Sequence, residues 1–273
     1  MHRAALAPIA HQSTLPDPLA IPPGAVVAGD YALRFAATGD DVAAAQRLRH
    51  QVFTEELGEG LPGADALGRD VDPLDEQMHH LLIEDRRTLR VVGTYRLQTA
   101  SMAAASPHGW YAASLFDLSG LPAEVRRDGV EIGRACVARA HRNGRVLRLL
   151  WRGLARYLQW NERRYLFGCC SMPSRDPRDA TQVRELLQSM GALDLTIAVA
   201  PLPEMVCPPD DRPDAERPVL RLPPLLHGYL TLGARVVSAP AFDRAFGSID
   251  CLMVLDIAAM SPTTFRSWFG PTA

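Results

Sequence analysis

Four groups of side chains in this 273-residue chain have types and spacings that chemistry could use. Glu131 and Arg134 stand three apart in Val130-Glu-Ile-Gly-Arg-Ala-Cys-Val137, a carboxylate and a guanidinium within one short segment. Asp65, Asp70, Asp72, Asp75 and Glu76 crowd one stretch that would attract a cationic group, although loops are also acidic for solubility alone. His141-Arg-Asn-Gly-Arg-Val146 opens a helix, where N–H groups without an intrahelical partner can bind an anion. Arg145, Arg148, Arg152 and Arg156 then step along that helix as a basic stripe suited to an acidic protein or an anionic membrane surface, a solvated face being the plain alternative.

Other chemistries find less support. His79 and His80 are adjacent and lack zinc-protease spacing, so no metal site is expected. Cys136 has no His or Asp partner at a readable spacing, which argues against a covalent nucleophile. The five cysteines, at 136, 169, 170, 207 and 251, form neither a C-x-x-C pair nor a disulfide framework, and a reducing cytoplasm fits them best. A formal net charge of −2 argues against a nucleic-acid binder. No apolar run is long enough to span a bilayer, and the first twenty residues make a poor secretory signal.

These groups need elements to hold them. Residues 1–29 read as a flexible leader, 30–260 as one domain, and 261–273 as a tail that either docks on the body or touches a membrane. Tyr31–Phe35 alternates like a strand, and Thr38 or Asp40 then caps a helix carrying Val42, Ala45, Leu48, Val52 and Phe53. His80–Glu84 and Arg90–Leu97 read as a hairpin, and Val130–Val137 as a further strand on which Glu131 and Gly133 share a face opposite Ile132. The clearest helix runs from about Arg145 to Glu162, with Leu147, Leu150, Trp151, Leu154 and Leu158 as its apolar stripe. A buried strand at Tyr165–Ser171 and a helix at Asp179–Met190 follow. Next come a proline-rich insertion at about 201–224 (a lid over a long chain or a surface loop), a short helix from Pro224, and strands at Ala234–Ala239 and Ser248–Ile257. Helices between strands, with hairpins also present, predict an α/β or α+β fold with a mixed sheet.

The element order resembles the GNAT acyltransferase fold, a mainly antiparallel twisted sheet flanked by helices. Arg49-His-Gln-Val-Phe53, Asp72-Pro-Leu-Asp75, His80-Leu-Leu82, Val92-Gly-Thr-Tyr-Arg96, Glu131-Ile-Gly-Arg134, Arg148-Leu-Leu-Trp-Arg-Gly153 and Tyr165-Leu-Phe-Gly168, in this order and spacing, resemble the hemolysin-like ornithine N-acyltransferases that make lyso-ornithine lipid. A more distant likeness to acyl-homoserine lactone synthases rests on Arg49, Phe53, Asp72, Asp75, Arg96, Glu131 and Arg134. Those synthases usually carry a Trp soon after the Phe, where this chain has Glu59 or its neighbours.

The resemblance implies transfer of a (3-hydroxy) fatty acyl group from an acyl-carrier-protein phosphopantetheine thioester, or from acyl-CoA, to the α-amine of ornithine. No bound cofactor and no nucleic acid are implied. It makes Glu131 the candidate base, with Arg134 beside it, and puts the oxyanion donor among the backbone N–H groups near Cys136 and Val137. It makes Arg142, Gly144, Arg145, Arg148 and Arg152 the donor-binding set. The usual phosphate motif of the fold is matched strictly only at Gly144, a weakening that fits a carrier-protein donor. Arg49, Asp72, Asp75 and Arg96 would bind the acceptor. The expected location is the cytoplasm, with peripheral contact at the inner membrane. Two alternatives stay open: an N-acyl amino acid or acyl-homoserine lactone synthase, separated by its acceptor amine, and a non-catalytic carrier-binding module, separated by binding without thiol release.

Overall fold

The computed structural model describes residues 16–60, 68–213 and 216–270. Eleven strands are present among them: β1 Val26–Ala28, β2 Tyr31–Phe35, β3 His79–Asp85, β4 Arg90–Thr99, β5 Phe116–Asp117, β6 Gly129–Val137, β7 Tyr165–Met172, β8 Ala200–Pro201, β9 Arg235–Val236, β10 Ala241–Asp243 and β11 Ser248–Asp256. The α-helices are α1 Gly39–Arg49, α2 Ala100–Ala105, α3 Ala123–Asp128, α4 Arg145–Trp160, α5 Ala180–Ser189, α6 Pro224–Thr231 and α7 Pro262–Phe269.

Nine strands form one sheet in the order β1-β2-β3-β4-β6-β7-β11-β10, with β9 also on β11, and β5 pairs with β8 separately. Every pairing of the large sheet is antiparallel except β6 with β7. One parallel pair needs a crossover, and α4 supplies it. Helix α4 buries Val146, Leu149, Leu150, Leu154, Tyr157 and Leu158 on the sheet, a stripe rotated from the expected one. Leu147 and Trp151 are only half-buried, and Trp151 stacks on Trp268 of α7 at 5.5 Å between ring centres. The opposite sheet face carries a second core built from Phe116, Leu121, Val125, Phe167, Leu252 and Val254.

Helix α1 begins at a capping box, with Asp41 N–H donating to Thr38 Oγ1 and Thr38 N–H to the Asp41 carboxylate, each at 3.2 Å. It runs on as a π-helical stretch, His50–Glu56, which carries Val52 and Phe53 to the centre of the molecule.

The described part of the expected leader, from residue 16, is held by the rest of the fold. β1 lies within it and pairs with β2, while the Trp160 indole N–H donates to the Leu19 carbonyl at 2.8 Å and Asn161 Nδ2 to the Ala20 carbonyl at 2.9 Å. Side chains far along the chain hold this segment through its backbone, so no apolar periodicity marks it. The described part of the proline-rich insertion is pinned to α5 by Arg212, which ion-pairs with Asp176, Asp179 and Asp210. The C-terminal segment docks on the body through buried Trp268, with Phe265 left exposed. No helix among the described residues is long and apolar enough to cross a membrane.

Candidate active site

The register of β6 creates the site. Against β4 it pairs from Val130 to Val137, but against β7 only from Gly129 to Glu131. Strand β7 meanwhile stays paired with β11 from Tyr165 to Met172. Beyond Ile132 and Gly168, β6 and β7 must therefore part. Gly168 marks the fork: a Cβ there would fall 2.2 Å from the Ile132 carbonyl oxygen, so only glycine allows the last close approach.

A cavity of about 800 Å³ occupies the fork, large enough for a drug-sized ligand or a fatty chain. Strand alternation divides its walls. Arg96, Glu131, Ser171, Ser248 and Asp250 lie on one face of the sheet, and Tyr95, Ile132, Cys170, Met253 and Leu255 on the other. The second lobe is completed by Leu147 and Leu150 of α4 and by Leu225, Leu226 and Tyr229 of α6. One lobe is charged, the other is apolar, and the gap between two strands joins them.

Glu131 lines this cavity with 2 % of its surface exposed. Its carboxylate accepts the backbone N–H of Tyr111 at 2.8 Å and of Ala112 at 2.6 Å, at the start of a 3-10 turn. Burial nevertheless pushes the carboxyl up to about 7, outweighing those two donors and the Arg96 charge. Among the described residues Glu131 forms no ion pair with Arg134 or Arg96, because both arginines turn to aspartates. A carboxylate in such surroundings is a stronger base near neutral pH than an ordinary Glu.

Strand β6 bulges opposite Tyr95, where the register shifts between Thr94 and Arg96. Arg134 takes up the extra residue at φ 49°, a conformation that costs energy for a non-glycine residue and re-aims its side chain. Past the bulge, Ala138 N–H donates to Val92 of β4 at 2.9 Å. Alternation then turns the Val137 N–H away from β4, toward the side that β7 has left. Burial pushes the neighbouring Cys136 thiol up to about 12, where it is inert as a nucleophile.

The residues expected to bind the acceptor form a buried network instead. Arg49 donates Nε to Asp70 at 3.0 Å and Nη1 and Nη2 to Asp75 at 2.8 and 2.5 Å. Arg96 pairs with Asp72 at 2.8 Å and Asp75 at 3.0 Å, and Arg134 with Asp70. Three arginines face three aspartates, so the formal charges cancel. Burial opposes ionisation of Asp75, but Arg49 and then Arg96 hold its carboxyl well below the usual range. Arg96 and Arg134 line the cavity, whereas Arg49, Asp72 and Asp75 stand behind its wall. The structure thus sets those three back from the cavity, with the aspartates orienting Arg96 and Arg134. The Nε atoms of Arg96 and Arg134 have no partner among the described residues. Arg134 also lies over the rings of Phe53 and Phe246, at 4.5 and 4.8 Å. Asp65 falls outside the described residues.

The donor-side residues divide as well. Gly144 caps α4 at φ 80°, and Gly144, Arg142 and Leu147 line the cavity. Arg142 is ion-paired with Glu56 at 2.5 Å and also donates to the Val137 carbonyl at 3.0 Å, which leaves less of its charge for a phosphate. Arg145 and Arg148 are exposed, each next in sequence to a residue of the lining, Gly144 or Leu147. Arg152 lies two turns further along, about 10 Å from Arg145, beside the Gly270 carbonyl at 3.5 Å, away from the lining. Arg156 holds the carbonyls of Pro23 and Gly24. The basic stripe is thus half structural.

Sequence reading missed the far wall. Asp250, Ser248, Ser171, Tyr111 and Phe246 all line the charged lobe, and the hydroxyls of Tyr95 and Tyr229 meet in the apolar one. Asp250 left one readable sign, an acid set between Ile249 and the apolar run Cys251–Leu255.

Residues 48–152 match the acetyltransferase (GNAT) domain family. Over 259 residues the chain is 32 % identical to an L-ornithine N(alpha)-acyltransferase of Agrobacterium fabrum, covering 90 % of this chain and 87 % of the relative. It is 33 % identical over 253 residues to a protein of the same name from Rhizobium meliloti, covering 88 % and 84 %. Among solved structures, the AHL synthase LasI is similar at a TM-score of 0.49 and 13 % identity, with 89 % of this chain and 96 % of that one covered. FeeM, an N-acyl amino acid synthase from uncultured soil microbes, is similar at 0.49 and 12 %, with 88 % and 99 % covered.

Proposed function

The chain belongs to the L-ornithine N(alpha)-acyltransferase family and is an acyltransferase of the GNAT fold, and on that premise we propose that it moves a 3-hydroxyacyl group from acyl carrier protein to the α-amine of ornithine, giving lyso-ornithine lipid. The observation that carries this reading is Glu131, a buried carboxylate with no ion-pair partner among the described residues, on the wall of a cavity that runs through the sheet. The acyl chain fills the apolar lobe beneath α4 and α6, and the amino acid fills the charged one. Arg96 and Arg134, fixed by their aspartates and each with a free Nε, receive the acceptor's carboxylate.

In this reading the amine nitrogen attacks the thioester carbonyl carbon in the strand gap. The carbonyl oxygen becomes an oxyanion facing the Val137 N–H. Glu131 takes the amine proton through a water, the C–S bond breaks, and the carrier's thiolate leaves with an amide formed behind it. Because an α-amine of pKa near ~8 is already partly neutral at pH 7, positioning contributes more than proton removal does. The start of α4 with exposed Arg145 and Arg148 meets the carrier's phosphopantetheine and its acidic surface. A carrier-protein donor sets the reaction in the cytoplasm, at the inner surface of the membrane that receives the product.

The test is thiol release from a 3-hydroxyacyl carrier-protein thioester with and without ornithine, the product being identified by mass. An ornithine-dependent amide is expected. Donor binding without thiol release for every amine supplied would overturn the proposal, and turnover with acyl-CoA alone would overturn the donor.

A further inference from the structure

The charged lobe holds one acid that the reaction as derived does not use. Asp250 sits on β11 opposite Ser171 of β7, lines the cavity and is 2 % exposed. Its carboxyl is held by the hydroxyls of Ser248, at 3.1 Å, and Ser171, and no ion pair to it forms among the described residues. Every other acid buried near the site is neutralised by a guanidinium or used up by fixed donors. Asp70, Asp72 and Asp75 have their arginines. Asp243 accepts the Tyr111 hydroxyl and the N–H groups of Ala245 and Phe246. Glu59, half-buried on the same lining, adds negative charge near Asp250.

The opposite end of the lobe has the reverse character. There Arg96 is buried in the cavity wall with its Nε unpartnered. A ligand that satisfies both ends carries a carboxylate at one end and a cation at the other. The spacing agrees. Glu131 pairs with Phe167, and Asp250 with Ser171, four residues further along β7 and one strand beyond it. At ~3.3 Å per residue and ~4.8 Å per strand, the two backbones are about 16 Å apart. An extended α,δ-diamine of about 6 Å between nitrogens, one direct contact at Asp250 and one bridging water at Glu131 close that span.

We propose that Asp250 binds the side-chain ammonium of the acceptor and thereby selects a dibasic amino acid over a neutral one of equal length. The inference rests on the reading that the enzyme acylates an amino acid's α-amine, and it replaces Asp72 and Asp75 as the ammonium site. Ser248 holds the carboxylate in place, and Tyr111 and Phe246 close the lobe around the methylenes.

The experiment compares kcat/KM for L-ornithine, L-norvaline and L-2,4-diaminobutyrate in the full-length enzyme and in Asp250→Asn. The wild type should prefer ornithine to norvaline, and the substitution should lower that ratio by about 10- to 100-fold. A ratio that stays put, or an equal loss on both acceptors, overturns the proposal. Should Asp250→Asn fail to fold, Asp250→Glu carries the test: charge is kept but advanced by one methylene, so preference moves toward 2,4-diaminobutyrate, and an unmoved preference overturns it. Wild-type enzyme that acylates ornithine and norvaline equally refutes the role of Asp250 and leaves N-acyl transfer standing. Wild type that releases no thiol with any amine overturns both.

Discussion

Replacing Glu131 by Gln separates a base from a structural carboxylate. The side chain holds two backbone N–H groups, and Gln can accept only one with its carbonyl while its own NH2 confronts the other. That loss costs about 1–3 kcal/mol. Against it stands the burial of the native charge. Burial raises the folded carboxyl to about 7 from its ordinary 4.5, so between these pH values the native state binds more protons than the unfolded one. Stability then falls as pH rises from 4.5 through 7, by of the order of 3 kcal/mol in all. Gln carries no such burden. At pH 8 the two effects oppose each other, so Glu131→Gln should unfold within about 2 kcal/mol of wild type and lose the decline in stability across that window.

Activity should behave differently. Losing a positioned base lowers kcat by about 10²- to 10⁴-fold. Below pH 7 two groups limit the wild type, Glu131 and the acceptor amine, and each contributes up to tenfold per pH unit. The variant keeps only the amine's contribution, so its profile should be shallower and lack the limb near 7. Thermal unfolding across pH 5–8 and single-turnover amide formation on the same samples read both quantities. A folded variant that retains activity within a factor of a few, or a wild-type profile without a limb near 7, would refute the base.

Three further outcomes follow from the same geometry. Asp75→Asn strips Arg49 and Arg96 of their shared carboxylate and should cost about 3–5 kcal/mol in denaturant unfolding; the wild-type contribution of Asp75, whose pKa is depressed, should be complete above about pH 4 and drain away progressively as pH falls from there through its folded value. Gly168→Ala drives a Cβ into the Ile132 carbonyl, so the fork must open or distort, and a fall in Tm of about 5 °C or more is expected alongside reduced turnover. Charge reversal at Arg145 and Arg148 should raise the KM for carrier-bound donor at least several-fold and flatten its salt dependence while leaving the Tm near wild type, since both side chains are exposed; an unchanged KM would make that face merely solvated.

Most of the large elements were legible because they carry strong local signals. The period of α4, the β3–β4 hairpin and the Thr38 cap are set by residues within one or two turns of each other. What local pattern could not give was anything defined by a partner far along the chain. Strand β1 is three residues long and depends on β2, and the segment before it is held through backbone carbonyls by Trp160 and Asn161. Short strands such as β10 exist only because β11 is beside them.

The same distinction explains the site. Glu131 and Arg134 were found because they share one strand, and Asp72 and Asp75 because they share one turn. Identity, however, did not fix role. An acid facing a guanidinium is part of the scaffold, and one facing empty volume is available to a ligand, so the role of each aspartate follows from where the arginines are. Arg49 and Arg96 lie some fifty residues apart in sequence and converge on Asp75, so its carboxylate is already met from within the chain. Among the described residues no arginine ion-pairs with Asp250, and in the proposal its charge is met from the cavity. A single guanidinium brought to β11, as in Ser248→Arg, would fill the lobe and neutralise Asp250 together. Such a variant should abolish acylation of ornithine while still folding, because it supplies from within the chain the cation that the acceptor otherwise brings.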